Sequence, residues 1–116
     1  MEDGKTYKPF KTYIITVITG DRRGAGTDAN VTINLYGENG IQSGDKKLET
    51  NANNFERNQI EEFGIESIDL GDTITKCRIG HDNSGFGSGW FLDKVIVSSL
   101  VLKCSWNKYY FNIFTN

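Results

Sequence analysis

The chain has 116 residues, which is enough for one domain with its own hydrophobic core and too short for a second. Charged residues make up 24% of it and the formal net charge is −2, so it lacks the basic excess that binding to nucleic-acid phosphates requires. No apolar run approaches the roughly 20 residues of a membrane span, and the polar residues 1–9 are unlike a signal peptide.

The composition predicts an all-β protein. Thirteen glycines against one proline are typical of short strands joined by tight turns. The first strand is predicted at residues 12–19, where β-branched and aromatic residues occupy both faces, as in a strand covered on both sides. After a glycine-rich loop, residues 30–36 alternate between apolar and polar, which predicts a half-buried strand.

The rest of the chain is predicted to supply six further strands. A turn-rich stretch leads to a short edge strand, and a loop with a short helical turn follows it. Phe91, Val95 and Val97 are expected to share one strand face with Asp93, and the turn Asn107-Lys108 is expected to join the last two strands. The predicted strands are 47–50, 62–68, 73–80, 90–98, 101–106 and 109–114. Eight strands without a long helix predict an antiparallel β-sandwich.

The two cysteines, Cys77 and Cys104, leave two readings open. They could form a disulfide, but both lie in apolar, strand-like segments where buried free thiols fit, and free thiols are favoured. We expect the chain to be a single domain, residues 1–116, taken from a larger multidomain protein.

Three loops are rich in oxygen donors: residues 24–30, 51–57 and 81–85. Calcium takes six to eight oxygen ligands from carboxylates, amides and backbone carbonyls in flexible geometry, and such loops can provide them. Gly, Asn and Asp also fill ordinary β-turns, so composition alone leaves a calcium site and a structural role both open.

Four motifs in order resemble the PLAT (lipoxygenase homology) family. They are YIITVITGDRRGAGTDANVTINLYGENG at 13–40, NNFERN at 53–58, DLG at 69–71 and HDNSGFGSGWFLDKVIV at 81–97. The resemblance implies two packed four-stranded antiparallel sheets, similar in shape to a C2 domain. It also implies a module with which lipoxygenases, lipases, bacterial toxins and polycystin-like proteins approach lipid or protein surfaces.

The resemblance further implies a set of site residues. Some members carry an acidic residue before the tryptophan, where this chain has Ser88-Gly89, so that ligand is either missing here or replaced by Asp82. Arg22 and Arg23 stand where lipoxygenases often have a membrane-inserting tryptophan. The implied calcium ligands are Gly26, Thr27, Asp28, Asn53, Asn54, Glu56 and Asp82, and the implied membrane or partner contacts are Arg22, Arg23, Phe86 and Trp106.

Several of these residues also have structural readings. Asp28 could only shape the turn into the second strand, Asp82 could cap its loop through backbone hydrogen bonds, and Glu56 could pair with Arg57 or Lys47 on the surface. Trp90 is expected in the core.

An enzyme is not expected. The chain lacks a phosphate loop with lysine, a histidine pair at zinc spacing and a nucleophile elbow. The leading hypothesis is a monomeric, non-catalytic module that binds lipid headgroups in a calcium-dependent manner and associates peripherally with membranes. The alternative is a protein–protein interaction module in which calcium is structural or absent.

Overall fold

The computed structural model describes residues 10–82, 90–101 and 105–112, which form seven β-strands and a short 3₁₀ turn at Glu38–Gly40. The strands are β1 (Phe10–Thr19), β2 (Val31–Tyr36), β3 (Lys46–Lys47), β4 (Ile60–Ile68), β5 (Lys76–His81), β6 (Leu92–Val101) and β7 (Ser105–Asn112). Within these ranges there is no helix with the length and apolar composition needed to cross a bilayer.

The strands form two antiparallel sheets that confirm the all-β sandwich. One sheet has the order β4-β1-β6-β7 and the other the order β3-β2-β5. In the described part of the chain the second sheet therefore has three strands rather than the four that were expected. The count differs mainly at the C-terminal end, where two long strands replace three short ones.

The core lies between the sheets. On β1 the side chains of Tyr13, Ile15 and Val17 are buried and alternate with more exposed neighbours, and on β2 Ile33 and Leu35 face them. Full burial of each such side chain contributes about 1.5–3 kcal/mol. This one apolar layer fixes the register of both sheets, because a slip of one residue would turn every inward side chain to solvent.

The predicted turn at Asn107-Lys108 is wrong. These residues lie inside β7, where Asn107 pairs with Ser99 and Lys108 with Ser98 of β6. Lys108 is exposed, so a polar residue inside a continuous strand accounts for the turn-like sequence at this point.

The predicted face shared by Phe91, Asp93, Val95 and Val97 is also wrong. The register between β1 and β6 shifts, so that Ile18 pairs with Lys94 but Thr19 pairs with Leu92. This bulge skips Asp93 and reverses the alternation before it. Leu92 is therefore buried together with Val95 and Val97, while Phe91 and Asp93 are exposed.

The end of the sandwich opposite the candidate loops is closed by the DLG turn. The backbone N–H of Leu70 donates to the Tyr13 hydroxyl at 3.0 Å, and burial raises the pKa of that phenol. Cys77 on β5 carries a free thiol, as favoured from the sequence, and burial raises its pKa to about 12, which keeps it protonated and unreactive near neutral pH. Cys104 lies outside the described residues.

Candidate functional site

Two loops meet at the end of the sandwich where β1 ends and β4 begins. The first loop (20–30) follows β1, and the second loop (49–59) precedes β4. Thr27 N–H donates to the Phe55 carbonyl at 2.9 Å, and Asn58 N–H donates to the Gly20 carbonyl at 3.1 Å. A Cβ on Gly26 would lie 3.0 Å from the Phe55 carbonyl oxygen, so the contact between the loops requires glycine at this position.

Both loops are fixed to the core by aromatic side chains. Phe55 has a left-handed backbone (φ 63°), and its buried ring stacks on Phe63 at 5.4 Å and meets Trp90 edge-on at 5.3 Å. Trp90 is 2% exposed, which confirms its expected place in the core, and its indole N–H donates to Thr19 Oγ1 at 3.1 Å. The second loop is therefore a rigid platform, held by buried rings.

Four of the predicted ligands line one cleft between the loops, of about 300 Å³, which we name the Asp28–Glu56 cleft. The lining residues are Gly24, Ala25, Gly26, Thr27, Asp28, Glu56 and Arg57. Arg57 pairs with Asp21 at 3.0 Å and Lys47 pairs with Glu49 at 3.3 Å. Among the described residues Glu56 therefore has no ion pair with Arg57 or Lys47, contrary to the structural alternative.

Asp28 also lines a neighbouring cleft of about 190 Å³ that contains Asn53 and Asn54. The Asn54 amide is already engaged. Its Oδ1 accepts from the Thr50 N–H at 2.9 Å, and its Nδ2 donates to Thr50 Oγ1 at 2.8 Å and to Glu61 Oε2 at 2.6 Å. These bonds fix the second loop in place, whereas the side chain of the exposed Asn53 forms no hydrogen bond with the other described residues of the loop.

Glu61 is a site residue that the sequence analysis missed. Its Oε1 accepts the Phe55 N–H at 2.7 Å while its Oε2 accepts from Asn54, so one carboxylate holds the two central residues of the second loop. A signal for it was present, because in a strand Glu61 has the same parity as the buried Phe63 and Ile65. An inward-facing glutamate at a strand end needs a local partner.

Asp82 lies away from the Asp28–Glu56 cleft. Its two carboxylate oxygens accept from the backbone N–H of Asn30 at 3.1 Å and from Asn30 Nδ2 at 2.8 Å, and its own N–H donates to the Asn30 carbonyl at 3.1 Å. Asp82 thus ties the end of β5 to the start of β2, and it lines a separate cleft with His81, Arg78 and Asp45.

The predicted contact residues do not all lie together. Arg22 and Arg23 are exposed on the first loop, and the Arg22 guanidinium lies 4.4 Å from the centre of the Phe91 ring. Phe86 lies outside the described residues. Trp106 belongs to β7 and pairs with Leu100, toward the opposite end of the sheet from the two loops.

Two apolar residues at the loop end were not predicted as contacts. Phe91 is 38% exposed and Ile60 is 70% exposed. Ile60 begins β4 and pairs with Ile18 at the end of β1, next to the first loop.

The donor chemistry of the Asp28–Glu56 cleft fits calcium. The side chains that line it offer carboxylate and hydroxyl oxygens without imidazole or thiolate, and its backbone adds carbonyl oxygens; the guanidinium of Arg57 also lines it but pairs with Asp21. Within the described ranges no group of three or more His, Cys, Asp or Glu side chains could hold a metal ion. The cleft contributes two carboxylates, which are oxygen donors of the kind that a hard cation prefers.

The two sheets and the paired loops define a β-sandwich module whose candidate binding groups lie on loops at one end. Residues 13–113 match the model of the PLAT/LH2 domain. The chain therefore belongs to the PLAT/LH2 domain family, as its motifs indicated.

The chain is similar to small parts of much longer relatives. It is 49% identical over 96 residues to Lipoxygenase homology domain-containing protein 1 of Mus musculus, covering 80% of the chain and 5% of that protein. It is 41% identical over 88 residues to Polycystin-1 of Homo sapiens, covering 76% of the chain and 2% of that protein. A solved coral 8R-lipoxygenase, described as calcium-activated through a C2-like domain, superposes with a TM-score of 0.77 at 33% identity, covering 89% of this chain and 15% of the lipoxygenase.

Proposed function

We propose that this PLAT/LH2 domain is a non-catalytic targeting module that takes Ca²⁺ between Asp28 and Glu56 and then docks on an anionic membrane surface. The observation that carries the proposal is the presence of both carboxylates in one oxygen-lined cleft, beside the exposed Arg22 and Arg23. The description of coral 8R-lipoxygenase, as calcium-activated through a C2-like domain, supports the same role here.

Calcium first changes the charge of the loop end and then links the domain to the membrane surface. Without a cation, the two carboxylates give the loop end a local negative charge that repels anionic headgroups. A calcium ion neutralises them, and because it takes six to eight oxygens, it can accept headgroup oxygens as well as those of the protein. Each exposed arginine near an anionic surface contributes about 1 kcal/mol of further attraction.

The apolar part of the contact is small. Phe91 and Ile60 flank the first loop and are large enough to reach the interfacial region of a bilayer. We therefore expect shallow, reversible and salt-sensitive docking rather than deep insertion.

The proposal is tested by sedimenting the domain with phosphatidylserine-containing vesicles and with pure phosphatidylcholine vesicles, in calcium or in EDTA. Binding should require both calcium and the anionic lipid. Asp28→Asn and Glu56→Gln, which keep side-chain shape but remove charge, should each reduce binding at least tenfold. Asp72→Asn removes a charge at the opposite end of the sandwich and should bind as the unchanged protein does. Equal binding in EDTA would sink the proposal.

A second candidate, a protein-interaction module with calcium structural or absent, is favoured by a different observation. Phe10 is 74% exposed at the start of β1, far from the two loops. Under this candidate Asp28→Asn leaves partner binding unchanged. The small share of each relative that the chain covers also supports the proposal that it is one domain of a larger protein.

A further inference from the structure

We propose that the outer face of the four-stranded sheet, the side of β4, β1, β6 and β7 turned away from the core, is a self-association surface for a second copy of this chain. This face is distinct from the Asp28–Glu56 cleft, which lies at the end of the sandwich. Self-association through this face does not depend on calcium binding. It differs from the monomer that was expected from the sequence.

The centre of the outer face carries three isoleucines, each paired with a polar residue of the neighbouring strand. The inward residues of β1 are buried, so Ile14 and Ile18 lie on the opposite side of the strand, and Ile96 of β6 lies beside them. The sequence of β1 is that of a strand covered on both faces, yet in the described structure only one face packs against the core. These three isoleucines remain partly exposed.

A groove of about 240 Å³ crosses this face. Ile14, Glu62, Ser98 and Lys108 line it, which places these four side chains on one surface. Gly64, which pairs with Ile14, adds no side chain beside the groove, and a Cβ there would lie 4.0 Å from Ile14 Cδ1. Side chains of a facing sheet can pack into this groove.

The charges on this face are segregated. Glu62 and Glu66 point outward from β4 on one side, whereas Lys94 of β6 and Lys108 of β7 lie on the other. Strands are spaced by about 4.8 Å, so the backbones of β4 and β7 are about 14 Å apart, and Glu62 and Lys108 form no ion pair within one copy. Among the described residues these four take part in no ion pair.

Segregated charges of opposite sign are complementary to a second copy. A two-fold axis parallel to the strands, set above the boundary of β1 and β6, carries β4 of one copy over β7 of the other. The glutamates of each copy then lie over the strand that carries Lys108 of its partner, and β1 of each copy lies over β6 of the other. A two-fold axis perpendicular to the strands would instead place the glutamates opposite each other, so the charges select one arrangement.

The size of the face predicts a weak dimer. Four strands of about ten residues cover roughly 30 by 20 Å, or about 600 Å² per copy. The resulting total of about 1,200 Å² is at the lower limit of specific interfaces. We therefore expect a reversible equilibrium that is weakened by salt, because the charges stay near the solvent-exposed rim.

Sedimentation equilibrium from about 10 µM to about 1 mM protein, a range suited to weak dimers, tests the proposal. The unchanged domain should show a rising fraction of dimer. Glu62→Lys with Glu66→Lys makes the face uniformly basic, and Lys94→Glu with Lys108→Glu makes it uniformly acidic. Each double variant should remain monomeric at every concentration. Mixing the two should restore a dimer, and it should be tighter than that of the unchanged domain.

The matched control is Glu38→Lys with Asp72→Lys, two exposed charge reversals off this face, which should dimerise as the unchanged domain does. Thermal melting confirms that each variant is folded. A monomer throughout the concentration range, equal dissociation in the control, or failure of the mixture to associate would each overturn the proposal. Vesicle binding of the monomeric variants in calcium reports on the targeting function independently.

Discussion

A single half-buried carboxylate organises the second loop. Glu61 accepts from the Phe55 backbone and from Asn54, and the left-handed backbone of Phe55 needs such support because a bulky residue rarely adopts it. Glu56, one residue farther along, is therefore positioned by Glu61 acting through Phe55. The geometry of the Asp28–Glu56 cleft depends on a residue that does not line it.

Glu61→Gln should loosen this loop. Glutamine has one oxygen and one amide group in place of two acceptor oxygens, so one of the two hydrogen bonds is lost. We expect a loss of about 1–2 kcal/mol in the free energy of unfolding, measured by urea denaturation, and a several-fold weaker calcium affinity by calorimetry.

Glu66→Gln on the same strand is the control for that substitution. Its side chain points to solvent, so its stability should change by less than about 0.5 kcal/mol. If Glu66→Gln and Glu61→Gln had equal effects, the positioning role of Glu61 would be refuted.

The motifs of the chain named candidate site residues, some of which lie together in the structure and some of which lie apart. The sequence indicated Asp28 and Glu56, and the structure brings them to one cleft. It could not separate Asp82 from them, because the choice between ligand and cap depends on Asn30, which is distant in sequence. Trp106 was expected at the loop end because sequence spacing does not show at which end of a sheet a residue lies.

At the scale of strands, the alternation of apolar and polar residues predicted correctly the strands that pair regularly. β1 and β2 follow their apolar patterns closely. The errors arose where pairing is irregular. A bulge at Asp93 reverses the alternation of β6, and a bulge depends on the neighbouring strand, which periodicity within one strand cannot reveal. The predicted turn at Asn107-Lys108 is a different error, since two successive polar residues inside a strand resemble a turn in sequence.

The turn after β2 depends on the close approach of two backbones. A Cβ on Gly37 would lie 2.0 Å from the Leu70 carbonyl oxygen. Leu70 is fully buried and its N–H is held by Tyr13, so this carbonyl cannot move away cheaply. Gly37→Ala should therefore cost more than about 3 kcal/mol, seen as a lower melting temperature in circular dichroism.

Gly80→Ala provides the comparison, since a Cβ there meets nothing within 4 Å. It should change stability by no more than about 0.5 kcal/mol. Similar melting temperatures for the two variants would show that the turn can shift to accommodate a side chain.

At the scale of the whole molecule, the sandwich places the two proposed binding regions apart. The loop end gathers carboxylates and arginines around a platform of buried aromatic rings, and the outer sheet face carries isoleucines among polar residues, with glutamates on β4 and lysines on β6 and β7. Because the core fixes both regions, a ligand at the loop end need not disturb the sheet face. Calcium should then stabilise the folded domain as a ligand does, without changing its secondary structure.

This effect of calcium on stability distinguishes a residue that binds the ion from a residue that only caps its loop. Calcium at about 100 times its dissociation constant should add about 2.7 kcal/mol to the free energy of unfolding, and each kcal/mol should raise the melting temperature by roughly 4 °C. Asp28→Asn should retain the melting temperature measured in EDTA but lose the calcium increment. Asp82→Asn should behave in the opposite way, because its carboxylate joins β5 to β2: its melting temperature in EDTA should fall, and the calcium increment should persist.

Magnesium at the same concentration should give a much smaller increment, because it demands rigid octahedral geometry and releases water reluctantly. If Asp82→Asn instead abolished the increment while Asp28→Asn left it intact, the calcium ion would belong beside Asn30 and His81, and the Asp28–Glu56 cleft would lose its proposed role.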